Sequence, residues 1–159
     1  MKITRGEKQI HGEMEGSIGD TSLLFTVKLD GIKSLILDMT KVSSINSVGV
    51  KHWIMWTLRI PKDCLVTIVN CPYVIANQAS IVMGFMSPQI KIESFRAPFV
   101  CNDCGAEEIR LLTRGNEYEY SAPPARSKIQ IPKNITCVKC NKGALEPDFM
   151  VEMTFKFLQ

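Results

Sequence analysis

The chain has 159 residues and a mass of 17.8 kDa, with 19 basic and 16 acidic side chains. Hydrophobic residues at 45% and charged residues at 22% exclude a disordered or fibrous chain, and the length suits one ordinary domain or a small domain plus a minimal one. A net charge of +3 is too small to argue for a nucleic-acid or membrane partner.

Met1 to Lys8 is mixed in charge and lacks the apolar stretch of a signal peptide. Gln9 to Met14 alternates polar with apolar or small residues and predicts a half-exposed strand. A short helix is expected from Asp20, capped by Asp20 or Thr21, with Leu23, Leu24 and Val27 on one face. Ser34 to Met39 is a short apolar run, as in a strand covered on both faces. Val42 to Gly49 predicts a loop that opens a helix. There Val50, Ile54 and Leu58 recur at i, i+4 and i+8, with Trp53 adjoining the same stripe, and Pro61 ends it.

Between Cys64 and Ile90 there is no charged residue, and the run is long enough to span a bilayer. Asn70, Pro72, Asn77, Gln78 and Ser80 interrupt it, so it reads as a buried strand over Leu65–Val69, a turn, and a core helix from Tyr73 to Gly84. Ile90 to Phe95 alternates as a further strand. Alternating strands and helices predict an α/β fold, a mixed sheet packed with helices. A soluble cytoplasmic protein without a membrane segment is expected.

Residues from about 8 to 96 resemble a STAS domain, the fold of bacterial anti-sigma-factor antagonists. Four matches in order carry the resemblance: His11-Gly12-Glu13-Met14, Leu37-Asp38-Met39-Thr40, Ile45-Asn46-Ser47-Val48-Gly49-Val50, and Val69-Asn70 with the helix ending near Gly84. In the family the loop before the second helix carries a serine that a partner kinase phosphorylates. By position that serine is Ser47. A phosphate there adds nearly two negative charges at a helix N-terminus. The alternative role for Ser47 is to cap the helix. Asn46 and Val48 stand where the family has aspartate and serine. Asn46, Ser47, Val48, Met55 and Trp56 are the expected partner-binding surface, since Val48 and Met55 fall off the apolar stripe and Trp56 lies at its edge. The same groups equally suit packing under the rest of the chain. The resemblance implies a protein partner, an anti-sigma-type kinase or another signalling component.

The six cysteines divide the chain near residue 99. Cys64 and Cys71 flank an apolar strand and read as small core residues. The other four form the pairs Cys101-Asn102-Asp103-Cys104 and Cys137-Val138-Lys139-Cys140. Two residues between cysteines let one tight turn aim both sulfurs at a single ion, and four thiolates suit structural Zn²⁺. Iron in an all-sulfur site, and a dithiol without metal, are the alternatives. Gly105 and Asn141 follow the pairs and tolerate the positive φ such turns need.

The stretch resembles a zinc ribbon, with strands expected at Ile109–Leu112 and Met150–Phe157 and a loop at Ser121–Arg126. Two domains are therefore expected: a STAS-like part over 1–98 and a small β-rich zinc-ribbon part over 99–159. Residues 1–98 hold 11 basic and 8 acidic groups, and 99–159 hold 8 of each. Four thiolates around Zn²⁺ turn this into a positive first part and a negative second part. That balance makes nucleic acid an improbable partner, although a nucleic-acid-binding regulator is the main rival reading. Neither histidine is marked as catalytic, and no nucleophile–base pair or Gly-rich phosphate loop is present. No catalytic residue is assigned and a non-enzymatic regulatory protein is expected.

Overall fold

The computed structural model describes residues 1–120 and 128–158. In chain order the elements are β1 (Lys2–Arg5), β2 (Gln9–Ile18), a 3-10 turn (Leu23–Thr26), β3 (Ser34–Ile45) and α1 (Ser47–Thr57). Then come β4 (Leu65–Val69), β5 (Cys71–Pro72), α2 (Tyr73–Ile81), β6 (Ile90–Ile92), β7 (Ser94–Cys101) and β8 (Glu107–Thr113). The rest comprises β9 (Tyr118–Glu119), β10 (Lys128–Ile129), β11 (Ile135–Thr136), β12 (Ala144–Pro147), α3 (Val151–Thr154) and a second 3-10 turn (Phe155–Leu158). The fold is mixed α/β, and no described helix is long and apolar enough to cross a membrane. The expected loop at 121–126 lies outside the described residues.

The first sheet has the order β1-β2-β3-β4-β6, with β1 antiparallel to β2 and every other pairing parallel. Parallel neighbours need a crossover, and α1 and α2 supply those from β3 to β4 and from β4 to β6. Register places Ile10, Leu35, Val66 and Ile90 in one row across the sheet, all at most 1% exposed. Leu37, Ile68 and Ile92 form the next buried row. The loop expected at Val42–Ile45 is instead the end of β3, because the far half of β2 continues beside it as far as Ile18↔Ile45. Two register shifts, each with the extra residue on β3, lie along this pairing, one of them opposite the step from Gly16, at φ +73°, to Ser17.

The buried side of α1 is centred on Trp53, expected beside the aliphatic stripe, and not on the stripe itself. Trp53 and Trp56 are 0% and 2% exposed, whereas Leu58 is 81% exposed and Val50 and Ile54 are half-buried. Each indole holds more apolar area than any single residue of the aliphatic stripe, and the helix turns both inward. Trp53 stacks on Phe85 at 5.1 Å and donates its indole N–H to the Phe85 carbonyl at 2.8 Å. Trp56 is therefore core, and it leaves the set of surface residues expected for a partner.

A second sheet runs β11-β12-β7-β5, with β8 on the other edge of β7. Glu93 alone separates β6 of the first sheet from β7 of the second. The boundary expected between residues 98 and 99 falls inside β7. One cluster of buried side chains runs through both sheets, from Ile10 and Leu35 to Cys137 and Leu158. The tyrosines bind the halves directly. Tyr118 donates its hydroxyl to the Ile92 carbonyl at 2.9 Å, and Tyr120 accepts the Ile92 N–H at 2.8 Å, so both hydroxyls meet the edge of β6.

Met150–Phe157, expected as a strand, is helical. A strand sends Thr154 and Phe155 to opposite faces, whereas the tight turns bury both, together with Phe157 and Leu158. Phe155 meets the rings of Phe95, Tyr118, Phe149 and Phe157 at centroid distances of 5.4 to 6.5 Å. The Thr154 carbonyl accepts a hydrogen bond from the Ser80 hydroxyl, which ties this segment to α2.

Candidate metal centre

β7 delivers Cys101 at its last residue, and the turn before β8 delivers Cys104. The turn between β11 and β12 carries Cys137 and Cys140. The two turns share one backbone scheme. Cys101 N–H donates to the Ala106 carbonyl and Gly105 N–H back to the Cys101 carbonyl, at 2.8 and 3.0 Å. In the second turn Cys137 N–H donates to Gly143 and Asn141 N–H to Cys137, both at 2.9 Å. Gly105 has φ +67° and Asn141 φ +54°, the left-handed geometry that their positions call for.

Pairing of β12 with β7, Leu145 opposite Cys101, brings the turns face to face. The four sulfurs then lie within 4.8 Å of one another, with Cys101–Cys140 at 3.7 Å and Cys104–Cys137 at 3.8 Å. Sulfurs held about 2.3 Å from a central ion at tetrahedral angles stand about 3.8 Å apart, so the donor set suits a tetrahedral metal. All four cysteines are free thiols, none joined in a disulfide. Backbone N–H groups of Cys104 and Asp103 hold the Cys101 thiol down at about 7. At Cys104 the Ala106 N–H also favours the thiolate, but burial and the neighbouring sulfurs outweigh it and push the thiol up to about 12. A cation among the sulfurs favours the thiolate form of the whole set.

Three residues of this site were not singled out by the cysteine spacing. A Cβ on Gly143 would lie 2.5 Å from Asp103 Cβ and 2.6 Å from Cys101 Sγ, so only glycine lets the turns close on each other. Asn102 clamps the first turn to β12: its N–H donates to the Ala144 carbonyl, and its side-chain oxygen accepts the Ala144 N–H, both at 3.0 Å. Glu108 accepts the Val138 N–H at 3.3 Å and pairs with Arg110 at 3.1 Å, which holds the second turn against β8. The glycine three residues after Cys140 was the one legible signal among them.

Cys64 and Cys71 are 1% and 0% exposed and lie in the core, with burial pushing both thiols up. On α1, Asn46, Ser47, Val48 and Met55 are exposed, Val48 at 46% and Met55 at 51%. The helix cap is Asn46, whose side-chain oxygen accepts the Gly49 N–H at 2.7 Å, so the capping role considered for Ser47 falls to its neighbour. Gly49 is needed for closeness: a Cβ there would meet the Ile18 carbonyl oxygen at 2.2 Å. No family model, curated protein or solved structure matches the chain.

Proposed function

We propose a non-enzymatic regulatory protein that works by protein–protein recognition, a STAS-like part joined to a zinc ribbon whose metal is structural. The observation that carries the recognition surface is Ser47, exposed in the first turn of α1 with its N-cap duty taken by Asn46. Val48 and Met55 give that surface an apolar component. The stretch that contains it carries Lys41, Lys51, Arg59 and Lys62 and no acidic residue between Asp38 and Asp63. A partner with carboxylates around an apolar contact complements it. An anti-sigma-type kinase or another signalling component is the partner class the family resemblance suggests.

Zinc is the metal proposed for Cys101, Cys104, Cys137 and Cys140. Four thiolates fill a tetrahedral shell and leave no position for water, so the ion supplies a cross-link and not a reaction centre. A cavity of about 830 Å³ between 129–134, β12 and α3 is lined by aliphatic groups with Gln130, Lys133, Asn134, Glu146 and Glu152.

Co-purification from the native host, with wild-type chain and Met55→Asp as baits, tests the surface. A partner recovered with wild type and lost with Met55→Asp supports it. An identical set of partners with both baits overturns it. Intact mass of the native protein tests the serine, with one added phosphate that disappears in Ser47→Ala as the expected result.

A further inference from the structure

Among the described residues β8 pairs with β7 and with no other strand. At its two ends Arg114 N–H donates to the Glu93 carbonyl at 2.9 Å and the Ala106 carbonyl accepts from Cys101 at 2.8 Å. Register is unbroken between them, so the even-numbered residues of β8 turn their backbone groups toward β7. The backbone groups of Glu107, Ile109, Leu111 and Thr113 point away from it. Thr113 N–H is met by the Glu117 carboxylate at 2.7 Å. Ile109 and Leu111 are 64% and 50% exposed, so the open edge also carries aliphatic side chains. An edge of this kind is a template for another strand.

We propose that the edge is occupied by β8 of a second copy of this chain, antiparallel, with the two-fold axis at Arg110. In that register Ile109 stands opposite Leu111 of the second copy, and Leu111 opposite Ile109. Both pairs join residues with outward backbone groups and exchange N–H to carbonyl bonds. A two-fold at Ile109 sets Glu107 against Leu111, and one at Leu111 sets Ile109 against Thr113. The Arg110 register alone pairs both aliphatic side chains with aliphatic ones. On the other face the two Arg110 side chains stand opposite each other at the axis, and each is neutralised by its own Glu108 at 3.1 Å, with Glu108 of the other copy diagonal to it. The surface is self-complementary, as a two-fold interface requires. It is distinct from the α1 surface proposed for a signalling partner.

Sedimentation velocity of the full chain with its metal, over a rising concentration series, tests this together with hydrogen exchange. The mass is expected to climb from 17.8 kDa toward twice that value. The amides of Ile109 and Leu111 slow over the same series, while those of Arg110 and Leu112 stay constant. Ile109→Pro removes one outward N–H without touching a β7 bond, and it is expected to sediment as a monomer with its metal content unchanged. A wild-type chain that stays monomeric to millimolar concentration overturns the proposal and leaves the edge to a different protein. A dimer in which Ile109 and Leu111 exchange at monomer rates overturns it as well. Wild-type exchange decides the matter alone if the proline variant does not fold.

Discussion

Gly143 shows how little room a side chain has at the four-sulfur site. A methyl there must displace either the Asp103 backbone region or the Cys101 sulfur, and neither is the free end of a flexible chain. Gly143→Ala is expected to weaken metal affinity about 10- to 100-fold, the range seen when groups supporting metal ligands are disturbed. Competition with a chromophoric chelator measures it. Asp38 offers a second test. Burial opposes its charge, but the Thr40 hydroxyl and N–H at 2.6 and 2.8 Å and the Asn70 amide at 3.1 Å outweigh burial and hold the carboxyl below its usual range. Its folded pKa lies below its unfolded one. The resulting stability is therefore complete above the unfolded value, near about 4, and is lost as pH falls through the folded one. Asp38→Asn is expected to flatten the acid limb of stability against pH, as read from denaturant midpoints.

At the scale of elements, α1 is held by its cap and its indoles. Asn46→Ala removes the acceptor for Gly49 N–H and is expected to cost about 1 kcal/mol, whereas Ser47→Ala leaves stability almost unchanged. Urea melts of the two variants check this, and equal losses would contradict the assignment of the cap. Trp53→Ala removes a fully buried ring stacked on Phe85 and is expected to cost about 3–5 kcal/mol. The helix was legible in its breaker, Pro61, and in a cap expected at Ser47 that the structure moves one residue back to Asn46. Its orientation was not, since the aliphatic spacing of Val50, Ile54 and Leu58 and the indole spacing of Trp53 and Trp56 each make an acceptable stripe. Similar ambiguity hid the C-terminal helix. Alternation of Val151, Met153, Phe155 and Phe157 scores as a strand, and only the aromatic cluster around Phe95 and Tyr118 rewards burying Thr154 beside Phe155.

The whole molecule has one continuous core running through two sheets. Removing the metal by chelation is therefore expected to lower the stability of the entire chain in a single transition, because β7 belongs to the cysteine site and touches β5 and the aromatic cluster as well. Trp53 and Trp56 stand in the first part, so their fluorescence reports whether loss of the metal reaches across the chain. Two separate transitions, with the indole signal unmoved by chelator, would show parts that fold independently.

The four sulfur ligands were legible in the sequence alone, because two residues between cysteines close a tight turn and two such turns supply a full tetrahedron of donors, whereas the β12–β7 pairing that sets the turns face to face came from the tertiary structure. The strands at Gln9, Ser34 and Leu65 were equally legible, since a period of two survives whichever neighbour a strand acquires. Packing decided what those periods left open: the inward face of α1, the length of β3, the helical end of the chain, and the fusion of both halves around Tyr118 and Phe155. Each of these depends on which distant surface a segment meets, and the burial of an indole or phenyl ring outweighs the local preferences that a sequence displays.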